Sequence, residues 1–199
     1  MRPLEAAAWP LLASSKAERK DSMVGNRHAS SVGGRLKNVL EPPTDSSPEA
    51  VKELTEAFRP LLADVFALYV KTKNFHWHMS GPHFRDYHLL LDEHAEQIFA
   101  MTDEIAERAR KIGGTTLRSI GDISRHQQLK DNDREFVAPH EMLAELRDDN
   151  QHLIRSLRET HELCERHNAT ATASLIETWI DESERRSWFL SETIREESA

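Results

Sequence analysis

The chain has 199 residues, 38% of them apolar and 30% charged, and a mean hydropathy of −0.64, which suits one ordinary domain plus an appendage. No apolar run approaches the ~20 residues of a membrane span, and the lone Cys164 excludes an internal disulfide and fits a reducing, cytoplasmic setting. A formal net charge of −8 argues against the chain as a whole binding polyanions.

That charge is uneven. Residues 1–43 carry seven basic and four acidic side chains, a surplus of +3 against −11 elsewhere. Residues 1–46 show no sustained apolar period and are rich in Ser, Gly, Ala and Pro. They predict a mobile basic tail with a short helical piece near Glu5–Leu12. The run Ala6–Ala13, broken by Pro10, fits a secretory signal poorly. Met23 stands as an alternative start.

Residues 47–199 predict an all-α domain. Ser47 followed by Pro48 and Glu49 is a helix start signal. Leu54, Phe58, Leu61, Leu62, Val65, Phe66, Leu68 and Tyr69 carry that helix to about His78, with a kink or opened turn expected before Pro60. Ser80-Gly81-Pro82 makes a tight link to a second helix, Phe84 to Ile112, which Gly113-Gly114 stops. A long connection follows, with Leu117, Ile120 and Ile123 predicting one or two turns of helix. A third long helix starts near Pro139, with Leu143, Leu146, Leu153, Ile154, Leu157 and Leu163 inward and Cys164 buried as a small hydrophobe. Asn168–Thr170 breaks it. A fourth runs from about Ala171, with Leu175, Ile176, Trp179, Ile180, Trp188, Phe189 and Ile194 inward. Trp179 and Trp188 are expected in the core. No strand alternation appears. Four long helices with a long middle crossover predict a four-helix bundle.

Five residues have metal-ligand chemistry at suggestive spacings: His76, His88, Asp92, Asp103 and Glu107. One such residue on a helix flank is ordinarily a solvated face. Measured around the helix from His88, however, Asp92 falls at about 40°, Asp103 at about 60° and Glu107 at about 100°, so all four share one flank. Asp92 and Asp103 are nevertheless about 16 Å apart along one helix at 1.5 Å per residue. If they serve one centre, two chains must supply it, and a two-fold axis between antiparallel copies would create two such centres. None of the eleven His has a Glu three residues before it; the nearest pattern is Asp149-x-x-His152. A centre inside one bundle, built on Glu-x-x-His, is therefore disfavoured.

Lys73-x-x-His76-Trp77, Gly81-x-x-Phe84, His88, Asp92, Asp103, Ala106-Glu107-Arg108 and Gly113-Gly114 together resemble the Dps family, the mini-ferritins named for DNA protection during starvation. The likeness is specific over about residues 60–125, and the helix layout extends it to the C-terminus. Residues 1–43 are not covered. The resemblance implies a ferritin-like subunit in a hollow homododecamer, with a ferroxidase centre at the two-fold interface. His76, His88 and Asp92 would come from one subunit, and Asp103 and Glu107 from its mate. Such proteins bind Fe(II), oxidise it, preferably with hydrogen peroxide, and store the ferric product. Many also bind DNA without sequence preference through a basic arm, and here Lys16, Arg19, Lys20, Arg27, Arg35 and Lys37 would be that arm's contacts. A nucleoid-compacting protein with secondary iron chemistry is the alternative the resemblance leaves. Trp77 would shield the iron or pack at the interface. His78, His83 and His94 would lie near the centre without ligating. Glu177 and Asp181 are candidates for an iron entry path.

Overall fold

The computed structural model describes residues 44–195. The expected tail and its six basic contacts lie outside them, apart from residues 44–46. Five helices and no strands occur among the described residues. They are α1 (Pro48–His78), α2 (Phe84–Lys111), the short α3 (Ile120–His126), α4 (Pro139–Arg166) and α5 (Thr170–Thr193). α1 pairs with α2 and α4 with α5; α1 also packs on α4, α2 on α5, and α3 on the outside of α1.

Local chemistry sets the boundaries. The Ser47 hydroxyl accepts from the Ala50 N–H at 3.1 Å, with Pro48 at the first helical position. α1 continues as helix through Pro60. At the end of α2, Gly113 donates to Arg110 O at 3.0 Å and Gly114 to Ala109 O at 2.9 Å, which is the Schellman pattern. Gly113 takes φ +98°, and a Cβ on Gly114 would lie 2.1 Å from Thr55 Oγ1 on α1. The two glycines thus do different work, one bending the chain and the other admitting α1. Ser119 caps α3 through the Asp122 N–H at 3.1 Å. Asn168, inside the short α4–α5 link, takes φ 53°, a left-handed conformation that Asn tolerates.

The core holds the expected leucines of α1 and α4, with Ile98, Met101 and Ile105 from α2 and Ile176, Trp179 and Leu190 from α5. Cys164 is buried, and burial pushes its thiol pKa up to about 11. Phe66 and Tyr69 cover the core's edge.

One core expectation fails. Trp188 is 60% exposed and Phe189 is 37% exposed. Trp188 stands nine residues from Trp179, about 180° away around the helix. Arg186, seven residues on and only about 20° off the Trp179 direction, takes the inward place instead. It is fully buried, with Ser183 and Ser187 beside it. The hydrophobicity of Trp188 suggested burial, but the helical period puts it outside.

A second buried polar device fixes the crossover. Asp64 on α1, 1% exposed, accepts the backbone N–H groups of Gln128 at 2.6 Å and Leu129 at 2.9 Å. This ties the segment after α3 to the bundle.

Candidate metal centre

The link between α1 and α2 brings His76 and His88 face to face. Gly81, at φ +99°, lets the chain reverse within Met79–His83. His76 is in the last turn of α1, where carbonyls lack helical partners. His88 Nδ1 lies 2.9 Å from that free His76 carbonyl, and His76 Nδ1 lies 2.8 Å from the His88 carbonyl. A carbonyl only accepts, so each Nδ1 must donate. The proton of each neutral ring is thereby placed on Nδ1, and each Nε2 keeps its lone pair. The rings stack with centroids 3.7 Å apart and an interplanar angle of 20°. Phe84 closes one side, its ring 5.0 Å from that of His88.

Asp92, one turn after His88, points its carboxylate to the same place. Asp92 Oδ1 is 3.8 Å from His76 Nε2, and it accepts from Lys73 Nζ at 2.7 Å. The Lys73 ammonium holds the Asp92 carboxyl below its usual range. His76 thus stands beside both the His88 ring and the Asp92 carboxylate at the α1–α2 link.

Asp103 and Glu107 do not join them. Both are exposed farther along α2, and Glu107 accepts from Lys111 Nζ at 2.8 Å, which holds its carboxyl low. Among the described residues, no three His, Cys, Asp or Glu side chains of one protomer come close enough together to hold a metal ion. Asp149-x-x-His152 is occupied otherwise. Lys71 donates to Asp149 Oδ2 at 2.7 Å, and His152 Nε2 is 3.5 Å from Asp64 Oδ2.

The neighbouring histidines separate clearly. His78 Nδ1 donates to the Asn74 carbonyl at 2.8 Å in its own helix, and His83 is exposed. His94 is buried; burial first, then Arg186 and Arg185, lower its pKa to about 4. It faces the bundle interior. Trp77 is 64% exposed and lines a groove of about 610 Å³ with Phe66, Val70, Ile120 and Ile123. The contact of Lys73 with Asp92 was not assigned from the sequence; the i, i+3 spacing of Lys73 and His76 was its only signal. Among the described residues, no helix is long and apolar enough to cross a membrane.

A bundle of four long helices with a short helix in its middle connection is a ferritin-like arrangement, and the chain belongs to that family: the ferritin-like domain model matches residues 35–198. Within it, the chain is a member of the Dps group. It is 30% identical over 136 residues to the DNA protection during starvation protein of Halobacterium salinarum, covering 68% of this chain and 75% of that one. The crystal structure of an archaeal Dps homologue from the same organism superposes with a TM-score of 0.73 at 26% identity, covering 79% of this chain and 91% of that one. A low temperature-induced protein of Nostoc is 35% identical over 130 residues, covering 65% of this chain and 73% of its own length.

Proposed function

We propose that this protein is a ferroxidase and iron-storage subunit that works at centres shared between two-fold mates. The observation that carries this reading is the reciprocal pair of Nδ1–carbonyl bonds, which presents two Nε2 lone pairs beside Asp92. Metal-ligating histidines characteristically donate their other N–H to a carbonyl or carboxylate in this way. Imidazole and carboxylate together suit Fe(II), and carboxylates retain Fe(III) after oxidation. Iron is here the substrate. His76, His88 and Asp92 bind it from one subunit, and Asp103 and Glu107 from the mate.

The flank that carries Asp92 and Asp103 also carries Phe99, 51% exposed and about 20° from His88 around the helix. An apolar ring between two donor pairs favours covering that flank with a second copy. Such a C2 contact is self-complementary and makes two centres. Two ferrous ions supply the two electrons that reduce one hydrogen peroxide to water. The ferric product is stored inside a dodecamer of cytoplasmic subunits. The basic surplus of residues 1–43, multiplied over twelve tails, gives DNA contact and nucleoid association through combined weak attachments. A gel shift at low and moderate salt, with and without residues 1–43, tests that part; unshifted DNA under both conditions leaves iron oxidation alone.

Subunit mixing tests the centre itself. His88→Ala/Asp92→Ala and Asp103→Ala/Glu107→Ala each lose peroxide-dependent ferrous oxidation as pure assemblies. Refolded together, each mixed dimer holds one intact centre and one doubly damaged centre, so activity returns. Failure to recover, with both parents assembled, overturns the shared centre. Retained oxidation in Glu107→Ala overturns the carboxylate assignment.

A further inference from the structure

Each half of the proposed centre already has a cation of its own. Lys73 Nζ lies 2.7 Å from Asp92 Oδ1, and Lys111 Nζ lies 2.8 Å from Glu107 Oε2. The two are not equivalent. The side chains of Lys111 and Glu107 are 61% and 56% exposed, so water and salt screen that pair. Lys73 is only 19% exposed, and the oxygen it binds is the one 3.8 Å from His76 Nε2. Its ammonium therefore stands where positive charge from a bound ion would also collect.

We propose that Lys73 is an affinity-setting residue of the centre, its ammonium competing with an incoming divalent cation for Asp92. This inference rests on the reading of His76, His88 and Asp92 as donors. With the exposed and screened Lys111 left aside, Asp92, Asp103 and Glu107 with Lys73 leave the shared centre at −2, equal and opposite to one divalent ion. Removing the ammonium frees a lone pair of Asp92 and leaves a carboxylate uncompensated, so both changes strengthen cation binding. The lysine thereby holds affinity at a level from which the ion can move on, as a centre feeding a store requires. A neutral side chain at this position would favour retention over passage.

The test uses the assembled full-length protein and zinc as a redox-silent probe, with affinity read by calorimetric titration. Lys73→Met tightens zinc binding by roughly tenfold, the order expected for one partly screened unit charge at short range. Lys73→Arg keeps the charge and stays near the parent affinity. Added salt narrows the gap between parent and Lys73→Met. His88→Ala removes the tight zinc event in both backgrounds. Unchanged or weaker binding in Lys73→Met, with His88→Ala still abolishing it, overturns the role of Lys73 and leaves the donors standing. Equal tightening in the Met and Arg variants overturns the charge argument. Zinc binding that survives His88→Ala overturns the donor assignment and this inference with it.

Discussion

Arg186 on α5 reaches across the bundle to Asn150 on α4, its Nε donating to Asn150 Oδ1 at 3.0 Å, with both side chains sealed from solvent. The same guanidinium donates to Ser183 Oγ at 2.7 Å, and burial lowers its pKa to about 10. Neutral oxygens replace only part of the hydration a guanidinium has in water, since Nη1 is buried without a hydrogen-bond partner. Asn150→Leu strands the charge and lowers stability by about 3 kcal/mol. Arg186→Met removes charge and demand together and costs less. Urea unfolding of the two variants checks that order, and a reversed order contradicts it.

His94 gives the fold a dependence on acidity. The unfolded imidazole takes a proton near pH 6.5, whereas the buried one stays neutral down to about 4. Between those values the unfolded chain binds more protons, so this contribution is whole above 6.5 and is lost as pH falls toward 4. The loss is on the order of 3 kcal/mol. His94 faces Arg186 and Arg185 on α5, so neighbouring positive charge works in the same direction as burial. His94→Gln should flatten the fall in unfolding free energy measured across that window. An unchanged slope would assign the effect elsewhere.

The two glycines after α2 should respond differently to alanine. Gly114→Ala drives a Cβ against Thr55 Oγ1 and costs about 2 kcal/mol. Gly113→Ala brings its Cβ to 3.3 Å from Thr44 Cγ2, a side chain that can shift, and keeps a left-handed backbone, costing roughly 1 kcal/mol. Thr55→Ala should rescue part of the first and none of the second. A double-mutant cycle on thermal unfolding reads the coupling.

Cys164 should resist alkylation in the native protein near pH 8 and react fully after unfolding. Its thiol is buried and its pKa lies well above that of a free cysteine. A thiol titration before and after urea makes the comparison, and prompt labelling of native protein would contradict the burial.

What was legible in the sequence was what local chemistry decides. Ser47-Pro48, Gly113-Gly114 and Asn168 mark helix ends because capping needs only a few adjacent residues. The shared flank of His88, Asp92, Asp103 and Glu107 followed from helix geometry alone. Side-chain commitments across elements were not legible. Nothing local to His76 shows that its ring proton serves the His88 carbonyl, or that Lys73 holds Asp92. On α5, hydropathy ranked Trp188 above Arg186 as a core residue. The period contradicted that ranking, and only partners such as Asn150 made a buried guanidinium tolerable.

The spread of donors along α2 has a consequence for timing in the cell. If the centre is shared as proposed, a newly synthesised subunit, carrying half of each ligand set at opposite ends of a rod, has no ferrous chemistry to perform until it meets another. Onset then scales with the square of subunit concentration, and dilution silences the reaction without any inhibitor. The geometry would act as an interlock, keeping ferrous oxidation away from lone chains that have nowhere to put the product.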